Sequence, residues 1–168
     1  NGVLTGNKVN KIGYGTSLAG ANVSVDYNKQ EDGGSAKSIG VDYAPTDNAM
    51  IFVAMSDEYA GTNTSTDQTT FGGTYTADLG DGELQLFAKY SFVDELYSIT
   101  DNRDVGKVPS TEKIDASITF LKDNYKISLF GRNLTDEITS PVRDISSLMI
   151  FGSPSVGTVY GITLSANF

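Results

Sequence analysis

Histidine and cysteine are both absent from these 168 residues. That removes the commonest general base, the commonest metal ligand and all thiol chemistry. What remains able to do chemistry is charge. Lys89, Lys113, Asp115, Lys126 and Arg132 fall at alternating positions of three consecutive extended segments. A strand turns every second side chain to the same side, so these five share one sheet face. On an inward face they would either line a lumen and set its ion selectivity or close into a salt-bridge network that fills it. The acidic pairs Glu31/Asp32, Asp57/Glu58, Asp101/Asp104 and Asp136/Glu137 lack the spacing of a calcium loop and read as solvated loop charge. Asn133-Leu134-Thr135-Asp136-Glu137 reads as a turn in which Asn and Asp side chains bond their own backbone. No nucleophile stands beside an evident base. We expect no enzymatic activity, no metal and no cofactor.

The elements that must position these charges are strands. Apolar and polar residues alternate over nine segments, most cleanly at 21–28, 37–43, 83–92, 113–121 and 160–168. Turn chemistry separates them: Pro45 to Asn48, Asp78 to Gly82 and Lys122 to Asn124 are short, while 100–110 and 134–155 are long. No helical periodicity of useful length interrupts the pattern, and no linker divides the chain.

Hydrophobic residues make up 39%, and no run approaches the roughly 18 to 20 apolar residues of a membrane helix. If this chain meets lipid, it does so as a closed barrel, the other structure that pairs its backbone groups there. The net charge of -9 argues against nucleic acid as a partner. Beginning at Asn1 without Met, the chain reads as mature or trimmed, which leaves export open. Tyr27, Tyr43, Tyr59 and Tyr75 recur every sixteen residues, with Tyr90 near the next step. Even spacing keeps them on one face, near strand ends, as an aromatic girdle requires; Phe168 completes the candidate set. The same spacing would also arise from hairpin periodicity in any all-β protein.

The last strand, Tyr160-Gly161-Ile162-Thr163-Leu164-Ser165-Ala166-Asn167-Phe168, resembles the C-terminal strand of bacterial outer-membrane barrels, in which a terminal Phe faces lipid. From about 78 to 168 the chain resembles the late strands of TonB-dependent outer-membrane receptors. Gly80-Asp81-Gly82-Glu83-Leu84-Gln85-Leu86, Gly131-Arg132-Asn133-Leu134-Thr135-Asp136-Glu137 and Phe151-Gly152-Ser153-Pro154 carry the likeness. Residues 1–77 are only loosely receptor-like or porin-like, through 39–48. The plug domain and the full barrel of such receptors have no room here, so energised uptake does not carry over.

The expectation is therefore a single all-β domain over 1–168: an antiparallel up-and-down transmembrane β-barrel of eight to ten strands, Asn1 to Thr5 being a candidate tenth, or a shortened piece of a larger receptor barrel. The resemblance implies the bacterial outer membrane, lipid or detergent as surroundings, a small-molecule solute, and recognition of the C-terminal strand by barrel-assembly machinery. The expected role is passage or capture of small solutes. The rivals are a barrel that only anchors surface loops and a soluble β-sandwich that binds.

Overall fold

The computed structural model describes residues 9–30, 35–59, 65–97, 106–139, 143–145, 150–152 and 154–167. In chain order the strands are β1 (Val9–Leu18), β2 (Ala21–Gln30), β3 (Ser35–Thr46), β4 (Ala49–Tyr59), β5 (Ser65–Leu79), β6 (Gly82–Val93), β7 (Leu96–Tyr97), β8 (Lys107–Val108), β9 (Thr111–Lys122), β10 (Tyr125–Arg132), β11 (Arg143–Ile145), β12 (Ile150–Gly152) and β13 (Val159–Ala166). Nine of them form one antiparallel sheet in the order β1-β2-β3-β4-β5-β6-β9-β10-β13. The other four make two small hairpins, β7 with β8 and β11 with β12, in the long connections. The nine alternating segments of the sequence are the nine strands of this sheet. Some run further than the cleanest alternation: β3 spans Ser35–Thr46, where alternation is cleanest over 37–43.

The fold is all-β and up-and-down, as expected, but the sheet does not close on itself among the described residues. β1 and β13 each have one neighbour among the described residues. Nine strands of alternating direction leave those two edges running the same way, so joining them directly would need a parallel pair. Antiparallel closure takes an even number of strands, which is why eight or ten was expected. The tenth strand expected from Asn1 to Thr5 lies outside the described residues.

The sheet is a single layer. Val108 is the one buried hydrophobic residue among those described, at 3% exposed. Accessible surface is 11664 Å², whereas a compact monomer of 17.9 kDa would expose about 8,000 Å². A sandwich would bury one face of each sheet, and no second layer packs on this one among the described residues.

Tight turns join β1 to β2, β3 to β4, β5 to β6 and β9 to β10, all at one end of the sheet. At the first, Ala19 (φ 51) and Gly20 (φ 84) both take positive φ, the pattern of a type I′ turn, whose twist suits a hairpin. At the third, Gly80 takes a positive φ of 68. The longer connections lie at the opposite end.

Candidate functional site

Register sorts the side chains into two faces, because directly paired residues of an antiparallel sheet point the same way. One face carries Ile12, Tyr14, Val23, Val25, Ile39, Val41, Ile51, Val53, Phe71, Leu86, Ile118, Leu129, Ile162 and Leu164, all traceable from strand to strand. The other carries the charges. Lys89, Lys113, Asp115, Lys126 and Arg132 all stand on that polar face, as their spacing predicts.

They do not form one cluster. A register row crosses the polar face as Ser17, Asn22, Asp42, Phe52, Gly72, Lys89 and Asp115, each paired with the next. At its first end the Ser17 hydroxyl donates to Asn22 Oδ1 at 2.6 Å, and Asn22 Nδ2 donates to Asp42 Oδ2 at 2.8 Å. At its other end Lys89 Nζ lies 3.0 Å from Asp115 Oδ2. Arg132 holds its guanidinium 5.3 Å from the centre of the Phe130 ring, a cation–π distance. Lys113 has no ion-pair partner among the described residues. Lys126 lies near the tight turn, opposite Leu121 and Ser165.

The row also slopes. Ser17 is two residues before the turn residue Ala19, and Asp115 is eight before Asp123. Six strand steps thus gain six residues, about 3.3 Å of rise for each 4.8 Å of spacing. Measured against the line of tight turns, the strands tilt by about 35°, which is where barrel strands begin.

Asn133 fixes the charged end of the row. It is 6% exposed, so its amide must find partners within the protein. Its Oδ1 accepts from the Glu137 amide at 3.1 Å and the Thr135 hydroxyl at 3.2 Å. Its Nδ2 donates to the Glu137 carbonyl at 2.9 Å and the Val156 carbonyl at 3.1 Å. All four side-chain positions are used. The Asn133 carbonyl accepts from the Thr158 hydroxyl at 2.8 Å, and its amide donates to Asp115 Oδ1 at 2.9 Å. The residue sits at φ 52, a conformation Asn tolerates better than most. The run 133–137 is the turn expected from its composition, and it is also a knot that ties β9, β10 and the approach to β13 together.

The polar face also carries aromatics: alternation already sets Phe87 there, whereas Phe52 and Phe130 were missed. Phe87 and Phe130 both oppose Ser117, and Phe52 opposes Gly72. A Cβ on Gly72 would meet the Phe52 ring at 2.8 Å, and one on Gly161 would meet the Phe130 ring at 2.4 Å. Each ring covers a cross-strand glycine, a recognised way to shield exposed backbone in a sheet. Even-odd parity places Phe87 among polar neighbours, and that was the available signal.

On the apolar face, Tyr27, Tyr43, Tyr75 and Tyr90 are divided between the two sheet ends. Tyr27 and Tyr90 lie toward the long connections; Tyr43 and Tyr75 lie nearer the tight turns. A sixteen-residue period advances the chain by about one strand, so successive tyrosines land at opposite ends. The Tyr90 ring packs against Phe71 with centroids 4.9 Å apart and planes tilted by 33°. Tyr125 and Tyr160 join this face as well. The Tyr59 side chain and Phe168 lie outside the described residues. Charge confines the apolar band: Lys37, Asp57, Asp67 and Glu112 stand at its long-connection end and Lys122, paired with Asp81, at its tight-turn end. On β9 that face reads Ile114, Ala116, Ile118 and Phe120 between Glu112 and Lys122. The ten-residue interval spans about 33 Å along the strand.

No known protein family, curated protein or solved structure matches this chain, so the geometry carries the functional reading.

Proposed function

We propose that the nine strands form the wall of a bacterial outer-membrane β-barrel, with the apolar face toward lipid and the polar face toward a lumen. The observation that carries the reading is the single layer itself. A continuous apolar face, bounded at both ends by charge, has no protein to cover it among the described residues. In water such a face would be an interaction site or a liability; in a bilayer it needs no cover. The 33 Å charge-free interval on β9, tilted by about 35°, gives a band about 27 Å tall, close to the ~25 Å of barrel proteins. Tyrosines near both ends suit the two interfaces. Closure then takes an odd number of further strands, antiparallel to both β1 and β13.

The role that follows is passage or capture of small solutes along the polar face, without catalysis. Lys89, Asp115, Lys113, Lys126 and Arg132 supply its charge. A second reading, a barrel that anchors surface loops and passes nothing, is favoured by the paired Lys89 and Asp115 and by Phe52, Phe87 and Phe130 on the same face. Conductance of the purified chain in planar bilayers separates the two. Discrete current steps support passage. Stable insertion without current supports the anchor. Failure to insert overturns the membrane reading.

A further inference from the structure

A partly enclosed region lies where β6 and β9 leave the sheet for their long connection. A cavity of about 170 Å³ opens there on the polar-face side. Its volume equals that of about six liquid waters at roughly 30 Å³ each. Its wall is amphiphilic. Val93, Leu96 and Val108 line one part, and Ser91, Thr111 and Lys113 line another. Ser91 and Lys113 are direct cross-strand neighbours, as are Val93 and Thr111. Two groups on this wall lack partners among the described residues. Lys113 has no ion pair there, although Lys89 on the same face is paired. Thr111 is only 8% exposed, and among the described residues its hydroxyl has no hydrogen-bond partner. A buried hydroxyl without a partner is unfavourable unless something fills the space beside it. Water would meet the hydroxyl but gains nothing from the apolar half of the wall.

The geometry points to a binding site for a small organic carboxylate. The Lys113 ammonium takes the carboxylate, Ser91 and Thr111 offer hydroxyls to its oxygens, and the short hydrocarbon part lies against Val93, Leu96 and Val108. Asp94 also lines the cavity. One of its oxygens accepts from the Glu95 amide at 2.7 Å, which restrains it without neutralising it. Its charge opposes an anion, so affinity is modest and the sign of its effect is fixed. The site does not depend on the apolar face meeting lipid.

The probe is butyrate, titrated into the full folded chain carrying isotope-labelled threonine methyls. A saturable shift of the Thr111 methyl is expected in the millimolar range. Lys113→Met weakens binding by about tenfold, the worth of one charge-assisted hydrogen bond. Asp94→Asn strengthens it, and Lys126→Met leaves it unchanged. Should Lys113→Met fail to fold, Ser91→Ala gives a smaller loss in the same direction. The assignment is overturned if butyrate produces no saturable shift, if Lys113→Met binds as well as the parent chain, or if butylamine saturates the site in its place.

Discussion

The backbone amide of Asn133 donates to the Asp115 carboxylate at 2.9 Å, and Lys89 holds the other oxygen of that carboxylate at 3.0 Å. The acid is therefore shared between the turn that ends β10 and the strand on the far side of β9. This makes one polar-face charge a structural joint between three strands. Truncation of Lys89 or of Asp115 itself acts on the fold as well as on the electrostatics of the face.

Asn133→Ala removes four side-chain hydrogen bonds and leaves the Glu137 amide and the Val156 carbonyl without their partner. The expected cost is about 2 to 4 kcal/mol, since buried orphaned groups cost about 1 to 3 kcal/mol each and relaxation recovers part. Asn133→Gly keeps the positive φ and should lose nearly as much. Denaturant unfolding in detergent measures both. Equal stability of Asn133→Ala and the parent chain would remove the knot from the account.

Lys89 and Asp115 are about a third exposed, so their direct coupling is modest. A double-mutant cycle with Lys89→Met and Asp115→Asn should give about 0.5 to 1.5 kcal/mol, reduced by salt. Lys126→Met, which breaks no ion pair, should change stability by less than about 0.5 kcal/mol.

The rings over glycine predict a coupled pair. Gly161→Ala places a Cβ 2.4 Å from the Phe130 ring, so the ring must swing away. The expected cost is about 1 to 3 kcal/mol. Phe130→Leu combined with Gly161→Ala should recover part of it, and a strictly additive double mutant would show that the ring does not lie over the glycine.

The nine strands were legible because a period of two is written directly in the residues. The same parity put Lys89, Lys113, Asp115, Lys126 and Arg132 on one face. Pairing was not legible, because it depends on register. Lys89 meets Asp115 only once the long connection between β6 and β9 has brought position 89 beside position 115. The role of Asn133 was half legible: its composition announced a turn, but Val156 and Thr158 join it from more than twenty residues away. Closure was not legible: the described strands of the sheet number nine, and an edge carries no local signature.

The proposed lipid-facing role of the apolar face also predicts an asymmetry between neighbours. Ile118→Lys puts a charge at the middle of the apolar band and should cost about 2 to 4 kcal/mol in a bilayer. Ser117→Lys, one residue away on the polar face, should cost little.

The most direct test of the central claim uses the absence of cysteine from the chain. Single cysteines placed along β9 from position 113 to 121, in the chain folded into lipid vesicles, are labelled with an environment-sensitive dye and challenged with a lipid-borne quencher. The account predicts strict alternation: dyes at 114, 116, 118 and 120 are quenched by lipid, and dyes at 113, 115, 117, 119 and 121 are not. Equal behaviour of the two sets, or a chain that stays folded in buffer and never enters the vesicles, would contradict it.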